Sequence, residues 1–316
     1  MMLDRLTRFD QARASFPESV QPLLMRLPEQ GGKLDQAACQ KLMEGLSVSI
    51  AQLMVKLLPL AAVFANVPLS GFSVGAVTQT ESRSQPSQKE LYLGANLEFE
   101  NLSLNATIHA EQSAMMNAWH QDGGRLLAVA TSETPCGHCR QFLHEFCGGK
   151  DMSIIQPGKQ ADQCRIESLS ELLPQPFTPT DLEKPITLMA PKQSVRSLKL
   201  KNESGDSLVV AALAAANAAY APYTGNLAGC ALQTQSKQII SGRSMESVAF
   251  NPSVSPLHAV MIRLNLGALK ASPAVERVVL VERRTKIRQK ETVQLLMQAI
   301  MPDITLEYHL AQEEEE

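Results

Sequence analysis

Two short motifs, in a fixed order, constrain this chain more than anything else in it. The first is Ile108-His109-Ala110-Glu111-Gln112, and the second is Thr134-Pro135-Cys136-Gly137-His138-Cys139-Arg140. Together they place one imidazole, one carboxylate and two thiols in the pattern H-x-E followed by P-C-x-x-C. His109 and Cys136 lie 27 residues apart, which leaves room for a helix, a strand and a turn between them.

Zinc prefers nitrogen and sulfur ligands in a tetrahedron. His109, Cys136 and Cys139 supply three and leave the fourth position open to water, whereas a structural site is normally closed by a fourth protein ligand. The pattern itself is the established signature of zinc deaminases that act on a base. Pro135 suits the first position of a helix, where its missing N–H costs little. Cys136 and Cys139 then share one face of the first turn, and a helix N-terminus favours their thiolate forms. His109 reads as the start of another helix, with Ala110, Ala114, Ala118 and Met115, Trp119 at helical spacing. Glu111 is not needed to hold the metal. It is placed to take a proton from zinc-activated water and pass it to a substrate.

Composition removes several alternatives. The net charge of −3 offers no footprint for a polynucleotide backbone, and an aromatic content of 4% offers no base-stacking platform. The N-terminus has no signal-peptide apolar segment, and the most apolar run, Leu57 to Val67, is too short to span a bilayer. Six cysteines in 316 residues, two of them in a C-x-x-C, point to a reducing, cytoplasmic setting and metal use rather than a disulfide framework.

Along the chain, residues 1–50 read as helical, with Asp35 capping a helix that carries Ala38, Leu42, Met43 and Leu46 on one side. Residues 51–168 hold the motifs. A helix from Ile50 to Ala65 precedes strands at Phe72–Thr78 and Leu91–Glu98; the His109 helix, a strand at Leu126–Thr131 and the Pro135 helix follow. This alternation predicts a central sheet covered by helices. Residues 169–192 form a proline-rich linker that includes Pro174, Pro176, Pro179, Pro185 and Pro191. Residues 193–316 repeat the second region: Ala216 to Gly225 echoes Phe64 to Gly71, and Gly242-Arg243-Ser244-Met245-Glu246 echoes Gly94 to Glu98. Fifteen residues beyond the first glycine stands His109 in one repeat and Leu257 in the other. No C-x-x-C follows, so the second repeat reads as one that has lost its metal. Strands are expected at Val278–Glu282 and Ile304–Tyr308 with a helix at Thr292–Met301 between them, and a frayed acidic tail at Glu313 to Glu316.

Beyond the motifs, the chain resembles the cytidine deaminases, and among them the larger, homodimeric bacterial type. Phe72-Ser73-Val74-Gly75-Ala76 is similar to that family's substrate-pocket strand, Gly94-Ala95-Asn96-Leu97-Glu98-Phe99 to its ribose-binding strand, and Thr134 to Phe142 to its second zinc segment. The resemblance implies a three-layer α/β/α sandwich, duplicated into a catalytic repeat and a metal-free one behind a small N-terminal helical region. It implies one zinc per chain, a small nucleoside substrate and a homodimer that binds neither nucleic acid nor membrane. It also implies that Asn96 and Glu98 bind the sugar hydroxyls and that Phe72 walls the pyrimidine. The backbone at Ala110 meets the base, and that at Thr134 faces the leaving ammonia. Phe177 and Phe250 lie near the pocket, with Phe250 supplied by the other subunit. The reaction implied is hydrolytic deamination of cytidine and 2′-deoxycytidine in pyrimidine salvage.

Each of these readings has a plainer counterpart. Asn96 and Glu98 alternate with Glu100 and could be a solvated strand face. Cys147 and Cys164 read as buried thiols. His138, between the two cysteines, points elsewhere on its helix; His120, His144 and His309 have no partner pattern; His258 is one register off and reads as packing. Two rival functions use the same motif: a polynucleotide-editing deaminase, opposed by the acidic charge and Glu98, and a non-catalytic zinc-binding protein, opposed by the intact Glu111.

Overall fold

A computed structural model describes residues 4–160, 163–190, 197–269 and 274–313. Pro191 and the end of the acidic tail, residues 314–316, lie outside the described residues. The N-terminal region holds helices α1 (Arg5–Ala14) and α2 (Gln21–Met25), a short strand β1 (Lys33–Leu34) and helix α3 (Gln36–Leu46). Asp35 caps α3 by accepting from Ala38 N at 2.8 Å, a contact worth about 1 kcal/mol. β1 was not legible in the sequence, because two residues are too few to display a period. It pairs with the edge of the sheet that follows.

That sheet is built from β2 (Gly75–Ser82), β3 (Lys89–Ala95), β4 (Gly123–Thr131), β5 (Ser153–Pro157) and β6 (Cys164–Ser168). Helices α4 (Ile50–Ala62), α5 (Ala110–His120) and α6 (Gly137–Leu143) lie among them in sequence. The strand order is β1-β3-β2-β4-β5-β6, with only the β4–β5 pair parallel. α4 covers one face: a Cβ at Gly75 would lie 2.4 Å from Leu58 O. α5 covers the other, and a Cβ at Gly94 would lie 2.1 Å from the Ala114 nitrogen, so only glycine lets helix and strand approach this closely.

A short helix α7 (Leu169–Leu172) opens the proline-rich stretch, in which Leu188 and Met189 are buried. β7 (Leu198–Leu200), α8 (Ser207–Asn217), β8 (Ala228–Thr234), β9 (Ile239–Arg243), α9 (Pro256–Leu266), β10 (Val275–Arg283), α10 (Lys290–Ile300) and β11 (Leu306–Glu313) complete the chain. Their sheet runs β7-β11-β10-β8-β9, with only β10–β11 parallel. The four-strand core of each sheet therefore has one topology: β3-β2-β4-β5 matches β9-β8-β10-β11. α8 packs on one face of the second sheet, against Ala231, Val279 and Val281. On the other face Cys230, Leu232 and Leu280 join α9 and the first repeat in one continuous core. The duplicated three-layer fold follows from this arrangement.

The repeats differ from the sequence reading in register. Leu97 bridges Ile108 in the first and Met245 bridges Val254 in the second, so the next residues, His109 and Ser255, correspond. Counting from the glycines had reached Leu257, because the loop before α9 is two residues shorter than its counterpart. At the other end of the repeat, Glu313 is not frayed: it closes β11 opposite Leu198 and pairs with Arg283 at 3.1 Å.

Among the described residues no single helix is long and apolar enough to cross a membrane. α3 and α4 pass together only by length and composition and bend by 97°. None of the six cysteines is paired in a disulfide.

Candidate active site

His109 and Cys136 occupy equivalent positions on neighbouring helices. His109 is the N-cap residue of α5, and Cys136 is the N-cap residue of α6, both with extended backbone. Pro135 therefore precedes the cap instead of opening the helix, and Cys136 is non-helical. Cys139 is still reached at the third helical position, so both thiols end on the same side. α5 and α6 direct their N-termini at the three donors, which favours thiolates there.

His109 Nδ1 lies 3.4 Å from Cys136 Sγ and 3.3 Å from Cys139 Sγ, and the three donor atoms all fall within 4.8 Å of one another. A tetrahedral zinc with ordinary Zn–S and Zn–N lengths separates such donors by roughly 3.5 Å, so the group fits that ion. The Cys136 thiol is pulled down to about 3 by hydrogen bonds with Cys139 and His109. Cys139 is pushed well above its ordinary value by the same contact with Cys136 and by burial. The two sulfurs thus compete for ionisation, and a divalent cation would favour the thiolate form of both. His109 is raised by its bond to Cys136.

Glu111 is 5% exposed, and burial raises its carboxyl above the ordinary range. Its side chain also reaches the Cys139 thiol, so a buried carboxyl stands beside the three converging donors without being one of them. His138 does not point away as the sequence suggested. Its ring stacks on that of His109 with centroids 5.3 Å apart, because its helix starts against the His109 N-cap.

Asn96 and Glu98 tie the strand to the turn before β2. Asn96 Oδ1 accepts from Val74 N at 2.9 Å, and its Nδ2 donates to Phe72 O at 2.9 Å. Glu98 Oε2 accepts from Leu69 N at 2.9 Å and Ser70 N at 3.0 Å, and Oε1 accepts from Ser70 Oγ at 2.5 Å. Burial works to raise the Glu98 carboxyl, and these donors together pull it below its ordinary value. A carboxylate accepts about four hydrogen bonds, so Oε1 keeps capacity for one more. Asn96 likewise keeps one donor hydrogen and one acceptor lone pair.

Ala110 is buried, while Thr134 and Cys136 are exposed, so the group is open on the Thr134 side. The three expected aromatic residues stand out in solvent: Phe72 is 56%, Phe177 44% and Phe250 62% exposed. Phe177 is clasped to α6 by Gln141, which donates to its carbonyl at 2.6 Å and accepts from its N–H at 3.2 Å. Several contributors were not seen in the sequence. Gln112 accepts from His109 N at 3.1 Å and donates to Pro252 O at 3.1 Å, bridging the repeats. The first half of this was legible, since a glutamine three residues after an N-cap is a capping pattern. Gln141, and Gln156, which donates to Thr134 Oγ1 at 3.4 Å, carried no signal because their partners are distant in sequence.

A family model described as "Cytidine and deoxycytidylate deaminase zinc-binding region" matches residues 48–155, and a second of the same description matches residues 169–294. A cytidine deaminase of Vibrio vulnificus is 34% identical over 306 residues, 96% of this chain and 98% of that protein. One from Pectobacterium carotovorum subsp. carotovorum is 35% identical over 309 residues, 97% of this chain and 99% of that protein. One from Photorhabdus laumondii is 41% identical over 249 residues, 78% of this chain and 79% of that protein.

Proposed function

The chain belongs to the cytidine deaminase family, a family of zinc enzymes, and on that premise we propose that it hydrolyses cytidine and 2′-deoxycytidine to uridine and 2′-deoxyuridine with release of ammonia. The observation that carries this reading is the buried carboxyl of Glu111 beside three converging donors, His109, Cys136 and Cys139. Zinc held by those donors would acidify a water and make it the nucleophile. Glu111 accepts the proton from that water and delivers it to N3 of the base as C4 is attacked. It then takes the remaining proton from the oxygen now bonded to C4 and delivers it to the amine, so the C4–N4 bond breaks, ammonia leaves and the C4 carbonyl forms. A carboxyl raised by burial suits both halves of this shuttle, because it gains and loses a proton closer to neutral pH.

Asn96 and Glu98 orient the sugar. Their remaining hydrogen-bonding capacity fits a hydroxyl group, and the bonds they already make hold them rigid for it. The 3′-hydroxyl is present in ribose and deoxyribose alike, so both nucleosides are substrates. Phe72 packs against the pyrimidine, the Ala110 backbone meets its edge and the Thr134 backbone faces the leaving ammonia. The exposure of Phe72, Phe177 and Phe250 supports a pocket closed by a second chain: a two-fold homodimer in which the partner subunit contributes Phe250 and helps exclude water. We assign the enzyme to pyrimidine salvage in the cytoplasm, a reducing compartment that suits its unpaired thiols.

Ammonia release from cytidine, with metal content measured on the same sample, tests the reading. Release that scales with bound zinc is expected. A fully zinc-loaded preparation that releases none would overturn it.

A further inference from the structure

Glu145 follows α6 by two residues and is fully buried. Its carboxyl is bound entirely by the second repeat. Oε2 accepts from Val248 N at 2.8 Å, and Oε1 meets the Tyr220 hydroxyl at 2.7 Å and the Tyr223 hydroxyl. Tyr220 also reaches Ile186 O at 2.8 Å. Two hydroxyl hydrogens cannot fill three oxygen–oxygen contacts. A proton on Glu145 closes the set: Tyr223 donates to Glu145, Glu145 to Tyr220, and Tyr220 to Ile186. A neutral acid is also what burial favours here.

Val248 lies two residues before Phe250, whose backbone is left-handed at φ 61°. For an aromatic residue this conformation is strained and persists only where the surroundings over-determine it. Phe250 is 62% exposed, so packing of its own ring does not set its direction. The turn does. Phe250 N donates to Ser247 O at 2.9 Å, Ser247 N donates to Ser253 Oγ at 2.9 Å, and Val248 N is pinned by Glu145. Tyr223 completes the frame. Its hydroxyl is on Glu145, its N–H is on Glu246 at 3.0 Å, and its ring lies 6.4 Å from that of Phe250.

We propose that Glu145 is a positioning residue, which fixes the 246–250 turn and the direction of Phe250 against the end of the thiol helix. Its effect on catalysis rests on the reading of Phe250 as a pocket residue; the anchoring itself does not. The thiol helix of one repeat and the aromatic tip of the other then move as one body.

A trifluoromethyl-phenylalanine placed at position 250 alone gives a fluorine signal that reports the turn without catalysis. Glu145→Ala should shift or broaden that signal, the milder Tyr223→Phe should move it in the same direction, and Glu145→Gln, whose amide oxygen can accept from Val248 N while its two N–H groups donate to the two tyrosine hydroxyls, should restore it. In parallel, Glu145→Ala should raise KM for cytidine about tenfold, or ~1.4 kcal/mol, with kcat within about threefold and zinc unchanged. Phe250→Ala should do the same, and the double variant should be no worse than the more impaired single variant. An unmoved fluorine signal in both Glu145→Ala and Tyr223→Phe overturns the proposal, as do multiplying effects in the double variant. A moved signal with normal KM in Phe250→Ala upholds the anchor and removes Phe250 from the pocket.

Discussion

Ser255 stands in the second repeat where His109 stands in the first. Each follows the residue that bridges back to the segment just past a strand, Ile108 to Leu97 after β3 and Val254 to Met245 after β9, and each is the N-cap of the next helix. Ser255 caps α9 with its own oxygen, so the position kept its helix-starting role and lost its metal ligand. His258 lies three residues further on, hydrogen-bonded to Ser255 Oγ at 2.8 Å and packed on Phe99 at 5.6 Å between ring centroids.

The first prediction concerns metal stoichiometry. Zinc per chain should stay at one in His258→Ala and fall below one in Cys136→Ala or Cys139→Ala. Elemental analysis of purified protein checks this. Metal loss in His258→Ala would mean the second repeat binds zinc, and full occupancy in either cysteine variant would remove that residue from the ligand set.

The second concerns stability and pH. His120 joins the repeats as a neutral ring: Nδ1 meets Met116 O at 2.7 Å and Nε2 accepts from Arg243 N at 3.1 Å. Burial, then the Arg243 charge, holds its pKa well below the ordinary value. Because the folded pKa is depressed, the unfolded chain binds the proton first. The contribution is present above about pH 6.5, the unfolded value, and is lost as pH falls toward the folded value. Urea unfolding at pH 7.5 and pH 5 should show a loss larger in the parent than in His120→Gln by up to about 2 kcal/mol. Equal losses would place a charged ring at this seam.

The third concerns the sugar. A phosphate on the 3′-oxygen would bring negative charge against Glu98, whose carboxyl its neighbours hold ionised, in a poorly solvated pocket. Cytidine 3′-phosphate should react at least about 100-fold more slowly than cytidine, a barrier difference of ~2.7 kcal/mol. Equal rates would remove Glu98 from the sugar site.

The candidate site was legible because zinc chemistry dictates residue types at fixed spacings: the convergence of His109, Cys136 and Cys139, with Glu111 buried beside them, can be read without knowing a single angle. The boundaries were less so. Pro135 looked like the first helical residue, yet Cys136 is the cap, since a proline before the cap satisfies the same pattern. Ser255 was hidden by a loop shortened by two residues, which counting cannot detect. Glu145, Gln141 and Gln156 were invisible because their partners lie on other elements, and pairing of that kind has no local signature.

Glu111→Gln is the most direct test of the central claim, that a buried carboxyl beside the three donors carries the proton. The variant removes the shuttle and leaves His109, Cys136 and Cys139 intact. Zinc should remain at one per chain while turnover of cytidine falls by about 1,000-fold or more, ~4 kcal/mol of barrier. Turnover within about tenfold of the parent, at full zinc occupancy, would contradict the account.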